Sequence, residues 1–350
     1  MQSTVKQINS RNTELEELII FFNANLRTNY TIEKYNWQYR SHPLSNLYLL
    51  TCDEGIICSQ GMIYFPLMFK GIKINSVKSE SSFLLPEYRG NSNFENLYFH
   101  SINDCIKNDI NIFWGFTALG LLWEKKLGFQ VFDVFCETQY FLSSRIEFLS
   151  VIKRKNSISQ KLKDLNRLVF KCISANKNLN LKIQTIDFDT SIEFIDQLNK
   201  KWITENPDLI SLSNDSSFLR FRVKDNPALH YTFHSITEGN QPIGYFILNQ
   251  ENKKTLYMVD IVITNSSITD TTVLEIISWI KRNYKHQRLS YLGNSKNRYN
   301  TLISSLLEKQ GAQTKLIQDM QFVLKVTDAK INLKINQLTL NGLWTEGFKI

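Results

Sequence analysis

Residues 79–129 read SESSFLLPEYRGNSNFENLYFHSINDCIKNDINIFWGFTALGLLWEKKLGF and predict strand, turn, helix, strand and helix in that order. Ser81–Leu85 ends the first strand, because Pro86 and Glu87 interrupt it. A helix over Phe94–Lys107 follows, since its apolar residues recur close to the 3.6-residue period. The turn between them, residues 88–93, leads into a helix N-terminus, where unpaired N–H groups and the positive end of the helix dipole point the same way. The sequence therefore predicts an anion site at this turn.

The second part of the stretch predicts a buried strand and a short helix. Ile110–Phe116 is a continuous apolar run of strand length, and Leu119–Lys126 has helical spacing. Gly128 follows that helix at the position where a glycine commonly ends one.

These residues resemble the core of the GCN5-related N-acetyltransferases, the GNAT superfamily. The resemblance is carried by PEYRG at 86–90, a helix, a strand, and KKLGF at 125–129. In that family the turn has an Arg/Gln-x-x-Gly-x-Gly/Ala pattern, whose amides hold the pyrophosphate of acetyl-coenzyme A. The match is partial, because the two later small positions fall on Ser92 and Phe94. The resemblance implies an acetyl-CoA or other acyl-CoA cosubstrate bound by Leu84, Leu85, Arg89, Gly90, Asn91, Ser92, Asn93, Phe94 and Trp114.

The whole chain of 350 residues is long enough for two domains. With 43% hydrophobic and 12% aromatic residues it can build real cores, which excludes a disordered chain. No apolar run reaches the length of a membrane-spanning helix, and the N-terminal residues lack the apolar stretch of a signal peptide. The five cysteines form no CxxC pair, as suits a reducing compartment. We expect a cytoplasmic protein.

The excess of positive charge is concentrated in one segment. Residues 151–177 hold eight Lys or Arg against the single acid Asp164, close to the whole net charge of +8. Apolar residues at 158, 162, 165 and 169 give the segment helical spacing. It predicts either a solvated linker helix or a basic face for phosphate or a membrane surface. No motif indicates binding to a nucleic acid.

Two halves of the sequence match one another at a nearly constant offset. Arg40, Pro43, Tyr48, Gly55, Gly61, Glu80 and Gly128 recur as Arg222, Pro227, Tyr231, Gly239, Gly244, Asp260 and Gly311, at offsets of 180 to 184 residues. Such regularity indicates a duplicated domain. We predict a first GNAT domain at 1–150, a linker helix at 151–180, a second GNAT-like domain at 181–330 and a tail at 331–350. The second domain has neither Arg nor Gly at 264–270, so we expect the first to bind the cosubstrate.

The predicted fold class is α+β, with two tandem GNAT-like domains that each have a mixed, largely antiparallel sheet flanked by helices. In the first domain we expect strands at 55–66 and 72–85, with 129–142 supplying its last strands. The tail alternates enough to predict a strand, with Trp344 folding back on the other domain.

Acyl transfer to an amine needs a proton acceptor for the amine, a donor for the carbonyl oxygen and a means of neutralising the thiolate. The resemblance implies that the strands at 81–85 and 113–117 splay apart and expose an N–H group to the thioester. Glu80 is the candidate base, unless it is an outward-facing strand carboxylate; His42 and Glu54 are secondary candidates. The family's usual acid is a tyrosine at the position that Glu124 occupies here. Glu124, Tyr140 or a water could serve instead, the thiolate could leave unaided, or the protein is not a catalyst.

On the acceptor side, the candidates are His42 and Asp260, although Asp260 could instead cap a strand end. No metal site is expected, because His230 and His234 fall on a predicted strand and not on one helix face. The sequence thus predicts an acetyl-CoA-dependent N-acyltransferase acting on a small amine. The leading acceptor is an amino sugar, or a nucleotide-linked one, of surface polysaccharide synthesis. The alternatives are a Fem-like aminoacyltransferase, also a tandem GNAT fold, and a non-catalytic ligand-binding protein.

Overall fold

The computed structural model describes residues 4–7, 12–26, 29–142, 181–250 and 252–345. The helices are α1 (Asn12–Asn25), α2 (Ile32–Tyr35), α3 (Asn93–Lys107), α4 (Gly120–Leu127), α5 (Ile192–Glu205), α6 (Ser216–Leu219), α7 (Asp270–Asn283) and α8 (Arg298–Lys309). The strands are β1 (Thr4–Gln7), β2 (Asn46–Cys52), β3 (Gly55–Tyr64), β4 (Leu67–Phe69), β5 (Ile72–Ile74), β6 (Ser76–Leu84), β7 (Ile112–Thr117), β8 (Gln130–Phe132), β9 (Phe135–Phe141), β10 (Leu181–Ile186), β11 (Ile210–Leu212), β12 (Tyr231–Glu238), β13 (Gln241–Asn249), β14 (Thr255–Ile263), β15 (Arg288–Asn294), β16 (Gln313–Leu316) and β17 (Gln321–Val326).

Two seven-stranded sheets with the same plan dominate the molecule. The first has the order β1-β2-β3-β6-β7-β17-β8 and the second has the order β10-β12-β13-β14-β15-β9-β16. Each contains one parallel pair, β6–β7 or β14–β15, at the same place among antiparallel neighbours. The two halves of the sequence therefore have one topology, which confirms the predicted tandem α+β fold. The domain limits drawn on the sequence remain a prediction.

The two sheets exchange one strand. Strand β9 lies in the second sheet, where it pairs with β15 from Phe135 opposite Asn294 to Phe141 opposite Arg288. Strand β17 lies in the first sheet between β7 and β8. Of the strands expected at 129–142 to complete the first sheet, only β8 does so. The alternation of a strand shows that it has a buried face but does not identify its partner.

Two further strands differ from their predicted form. The strand expected at 72–85 is divided at Asn75, where the Tyr64 hydroxyl donates to the side-chain oxygen over 2.9 Å. Its first part, β5, joins a three-stranded sheet with the order β11-β4-β5. The tail contains a 3₁₀ turn at Ile335–Gln337 where a strand was predicted. The Asn294 amide donates to the carbonyls of Ile335 and Leu338, so a side chain satisfies backbone groups that a neighbouring strand would otherwise pair.

The halves meet through equivalent turns. A π turn follows α2 at Asn36–Arg40, and another follows α6 at Arg220–Lys224. Trp37 of the first turn stacks on Phe221 of the second at 5.4 Å between ring centroids, and its indole donates to the Phe221 carbonyl over 2.6 Å. Arg222 is buried and donates to the carbonyls of Leu343 and Thr345, which fixes the tail. Trp344 is buried with its ring 4.7 Å from that of Trp114, so the tail folds back on the first half as predicted.

None of the helices within the described residues is long and apolar enough to cross a membrane. The basic helix predicted at 151–177 lies outside the described residues.

Candidate active site

Strands β6 and β7 separate partway along the first sheet. They pair in parallel at three positions, from Ser76 opposite Ile112 to Lys78 opposite Trp114. Beyond Lys78 they diverge, while β6 continues to Leu84 and β7 to Thr117. Backbone groups on the two facing edges are therefore open to a ligand. The predicted splay is confirmed.

Strand β6 contains a bulge at the splay. Ser81 and Ser82 lie opposite the single residue Gln60 of β3, between the pairs Gly61–Glu80 and Ser59–Phe83. Ser81 has a φ of 52°, in the left-handed region that residues other than glycine rarely adopt. Bulges of this kind redirect side chains and often lie beside functional sites.

Side-chain hydrogen bonds hold the bulge in place. The Tyr39 hydroxyl donates to Ser81 Oγ over 3.0 Å, and Ser59 Oγ donates to the Ser81 carbonyl over 2.8 Å. Ser82 Oγ donates to the Gln60 side chain over 2.6 Å. Gly61 makes room for this arrangement, because a Cβ there would lie 2.1 Å from the Tyr39 hydroxyl oxygen. The surroundings thus fix a backbone conformation that Ser81 alone would not favour.

A cavity of about 850 Å³ opens at the splay, within the range of small-molecule sites. Its walls come from four parts of the first half. These are the bulged part of β6 with the end of β7, the turn after β6 with the start of α3, the helix α4, and the segment from the end of α1 to the π turn after α2. The lining residues are Leu26, Tyr30, Lys34, Gln38, Ser79–Leu84, Arg89–Ser92, Phe94, Glu95, Phe116, Thr117, Leu119, Leu122, Trp123 and Lys126.

The predicted anion turn forms one end of the cavity. Arg89 and Gly90 are exposed on its rim, and Gly90 has a φ of 89°, where glycine is favoured. Ser92 is the N-cap residue of the 15-residue helix α3, and Phe94 in its first turn also lines the cavity. A helix N-terminus open to a cavity, with a guanidinium beside it, favours a phosphate group.

Glu80 lines the cavity beside the bulge. Its carboxylate forms an ion pair with the ammonium of Lys78, whose side chain is only 5% exposed. That ammonium also lies 5.7 Å from the centre of the Phe116 ring. A buried ammonium needs a partner, so the pair fixes the position of the Glu80 carboxylate at the cavity wall.

Seven of the predicted site residues therefore come together in the cavity: Glu80, Leu84, Arg89, Gly90, Asn91, Ser92 and Phe94. Leu85 and Asn93 lie next to lining residues but do not line the cavity. Trp114 is fully buried, and its indole donates to Ser76 Oγ over 3.2 Å. It points into the core between the halves and not toward the cavity, as its contact with Trp344 shows.

The other five predicted residues lie elsewhere. Glu54, in the turn between β2 and β3, accepts from the Tyr88 hydroxyl over 2.8 Å and does not line the cavity. Glu124 is exposed on α4, away from the face that lines the cavity. Tyr140 is on β9 and hence in the second sheet, with the Lys281 ammonium 5.0 Å from its ring centre. The His42 ring stacks on Tyr64 at 3.9 Å, and partial burial, assisted by the Lys73 charge, lowers the pKa of His42. Asp260 belongs to the second half.

The place in the second half that corresponds to the cavity is filled. A space of about 20 Å³ remains there, enough for about one water molecule. Trp202, Tyr291 and Tyr299 border it, and Asn341 of the tail donates to Asp260 over 2.7 Å. Burial raises the pKa of Asp260 to about 7. The larger cavity is therefore a property of the half that has the anion turn.

Sequence reasoning did not identify the hydroxyl pair of Tyr39 and Ser81, or the wall formed by Tyr30, Lys34 and Gln38. Tyr39 was visible in the repeated Trp-Gln-Tyr-Arg segment at 37–40, but nothing there indicated its contact with β6. Nothing in the sequence indicated a role for Ser81, because the identity of a serine does not reveal that its φ is positive.

Solved structures share the fold over nearly the whole chain. A conserved protein from Enterococcus faecalis, described as a probable N-acyltransferase, matches with a TM-score of 0.65 at 12% identity, covering 94% of this chain and 73% of that one. A GCN5-related N-acetyltransferase from Anabaena variabilis gives 0.63 at 14% identity, with 93% and 73% covered. A tandem GNAT protein from the clavulanic acid biosynthesis pathway gives 0.58 at 9% identity, with 93% and 99% covered. No family model and no curated protein matches the sequence.

The chain thus has the tandem fold of the GCN5-related N-acetyltransferases. At these identities the likeness shows the fold, and the function has to be argued from the cavity.

Proposed function

We propose that the protein is an acyl-CoA-dependent N-acyltransferase that uses acetyl-CoA as donor and a small amine as acceptor. The proposal rests on one observation: a single cavity joins a glycine-containing turn at a helix N-terminus, a splayed strand pair and a carboxylate. A donor with a pyrophosphate, a long arm and a thioester needs these three features in this order.

The donor's pyrophosphate would bind at the turn. Arg89 supplies a guanidinium, and the N-terminus of α3 supplies N–H groups and its dipole. Phe94 occupies a position where the family has a small residue. Its ring packs against that of Tyr98, with 5.7 Å between the ring centroids. The arm would then extend along the open edge of β6 toward the bulge.

The reaction would take place at the bulge. The amine nitrogen attacks the thioester carbonyl, a C–N bond forms and the C–S bond breaks, with its electron pair going to sulfur. Backbone N–H groups of β6 beyond Lys78 no longer face β7 and can donate to the carbonyl oxygen. Glu80, fixed by Lys78, accepts the proton that the amine loses, directly or through water.

The acceptor would enter beside α1 and α2, where Tyr30, Lys34 and Gln38 supply polar groups at the wall. An amino sugar, or a nucleotide-linked one used for a surface polysaccharide, remains the leading class. Such chemistry belongs in the cytoplasm, with no nucleic-acid partner. The basic segment at 151–177 would contact phosphates of the acceptor or a membrane surface.

Calorimetric titration with acetyl-CoA tests the proposal without knowledge of the acceptor. We expect one-to-one binding that weakens roughly 10- to 100-fold in Arg89→Ala, because a hydrogen bond to a charged group is worth about 1.5–3 kcal/mol. Gly90→Val should abolish binding, since valine does not tolerate the positive φ of this turn. Lys107→Ala is the matched control, because it removes the same charge from the opposite end of α3.

The outcomes separate the proposal from its alternatives. Binding that is weakened in the Arg89 variant, lost in the Gly90 variant and kept in the Lys107 variant supports a donor site at the turn. No binding at millimolar acetyl-CoA would contradict it and favour a Fem-like aminoacyltransferase or a non-catalytic protein. Binding without turnover on any amine would favour a ligand-binding protein.

A further inference from the structure

The cavity has no acidic group at the place where the family has its tyrosine. Glu124 holds that position and is exposed away from the cavity, and Tyr140 lies in the second sheet. The charge that develops on sulfur as the C–S bond breaks therefore needs another partner. A hydroxyl pair that nothing in the proposed function uses lies at the bulge.

We infer that the Ser81 hydroxyl donates a hydrogen bond to the departing sulfur, and that Tyr39 is the positioning residue that holds it there. This inference rests on the proposed function. Ser81 lines the cavity, and Tyr39 donates to its Oγ over 3.0 Å. Ser81 Oγ accepts that bond, so its own hydrogen is left for a ligand; no other residue of the described ranges takes it.

The neighbouring serine shows the contrast. Ser82 also lines the cavity, but its hydroxyl donates to Gln60 over 2.6 Å. Its hydrogen is therefore already used within the protein. Two adjacent serines of one bulge thus differ in whether they can donate to a ligand.

The position of Ser81 is maintained against its backbone preference. Its φ of 52° lies in a region that residues other than glycine rarely adopt. Tyr39 can reach it only because residue 61 is glycine. Strain that several contacts hold in place is typical of functional sites.

The second half provides an internal comparison. At the offsets of the repeat, Phe221 corresponds to Tyr39 and Ile261 to Ser81, so that place has no hydroxyl pair. Gly244 corresponds to Gly61 and is retained, but its space faces the carbonyl of Val262. The hydroxyl pair occurs in the half with the open cavity and is missing from the half where the cavity is filled.

The step balances without a further reactant. The amine forms the C–N bond and gives one proton to Glu80 and then to water. The C–S bond breaks and its electron pair stays on sulfur, where the Ser81 hydrogen bond stabilises the thiolate. The released thiolate takes up one proton from water, which equals the one lost by the amine.

The test measures the pKa of the CoA thiol bound to the protein, followed by the ultraviolet absorbance of the thiolate during a pH titration. It requires no acceptor. A donor aimed at sulfur favours the thiolate, so we expect the pKa of the bound thiol to lie about one to two units below that of free CoA. Tyr39→Phe should move it part of the way back, and Ser81→Gly should remove the shift.

Ser81→Gly separates this role from a structural one. Glycine adopts a positive φ freely, so the variant should melt no lower than the wild type although it lacks the hydroxyl. Ser82→Ala removes a hydroxyl one residue away and should leave the thiol pKa unchanged. Acetyl-CoA, whose sulfur is acylated and cannot ionise, should bind all three variants with wild-type affinity.

Two results would overturn these conclusions in different ways. If CoA binds but Ser81→Gly has the same bound-thiol pKa as the wild type, the role of Ser81 is wrong and the proposed function stands. If neither CoA nor acetyl-CoA binds the wild type, the proposed function fails, and the role of Ser81 fails with it.

Discussion

Asp260 and its repeat partner Glu80 have different surroundings. Glu80 faces an open cavity with an ammonium beside it, whereas Asp260 is buried among the neutral groups of Asn214, Asn341 and Tyr245. Neutral donors compensate a buried carboxylate only in part, which is why burial dominates and raises the pKa of Asp260 to about 7.

The raised pKa makes stability depend on pH. Between pH 3.8, the ordinary pKa of an aspartate, and about pH 7, the folded state keeps the Asp260 proton that the unfolded state has lost. The contribution of this proton to the free energy of unfolding is therefore present at low pH and is lost as the pH rises through 7. We expect the Asp260 contribution to the free energy of unfolding to fall by about 2–3 kcal/mol from pH 5 to pH 8. Asp260→Asn should remove this slope, as urea unfolding at the two pH values would reveal. Parallel wild-type and variant curves would contradict the assignment.

At the scale of elements, helix α4 is held at both ends by side chains of the exchanged strand β17. Gln321 Oε1 accepts from the Gly120 N–H over 3.0 Å at the start of the helix. The Lys325 ammonium donates to the Leu127 carbonyl over 2.6 Å at its end. With eight residues, α4 is too short to be stable alone, so a strand from the far end of the chain fixes one wall of the cavity.

The C-cap of α4 gives a stability prediction. Gly128 has a φ of 68°, and a Cβ there would come within 3.1 Å of the Lys325 ammonium nitrogen. Gly128→Ala should therefore cost about 1–2 kcal/mol for the backbone, plus the disturbance of the lysine bond. Gly239→Ala is the matched control, because it has a φ of 57° with open space around it. Equal losses in the two variants, measured by denaturant unfolding, would show that the Lys325 bond adds nothing.

Local patterns predicted the elements well. The helix expected at Phe94–Lys107 is observed as Asn93–Lys107, and the helix expected at Leu119–Lys126 is observed as Gly120–Leu127. The location of the turn at 88–93 and of Glu80 at the cavity was also predictable, because turn residues and the position on a strand depend on local sequence. The exchange of β9 and β17 was not, because a strand's partner depends on the remainder of the chain. Ser81 was missed because φ is set by its neighbours in space.

At the scale of the whole molecule, the exchange ties the two halves into one folding unit. Each sheet needs a strand from the other half to be complete, and the main core runs through both. Neither half can unfold and leave the other intact, because a missing strand would expose two edges in the remaining sheet.

A cut chain tests this coupling. A protease site inserted between residues 142 and 181 would separate the halves covalently after cleavage. We expect the two fragments to stay together in size-exclusion chromatography and to unfold in one transition, because each holds a strand of the other's sheet. Fragments that separate in native buffer and keep their secondary structure would refute the coupling. A site placed after residue 345 is the control for the protease treatment.

The exchange also has a consequence during synthesis on the ribosome. Strand β17 is made about 200 residues after β7, the strand it pairs with. At a synthesis rate of about 5–20 residues per second, the edge of β7 stays unpaired for roughly 10 to 40 seconds before β17 has been made. The half that carries the cavity therefore cannot complete its sheet before the second half is made, although it is translated first. For that interval the nascent chain presents an open strand edge beside an unfinished core, which is the kind of surface that molecular chaperones shield.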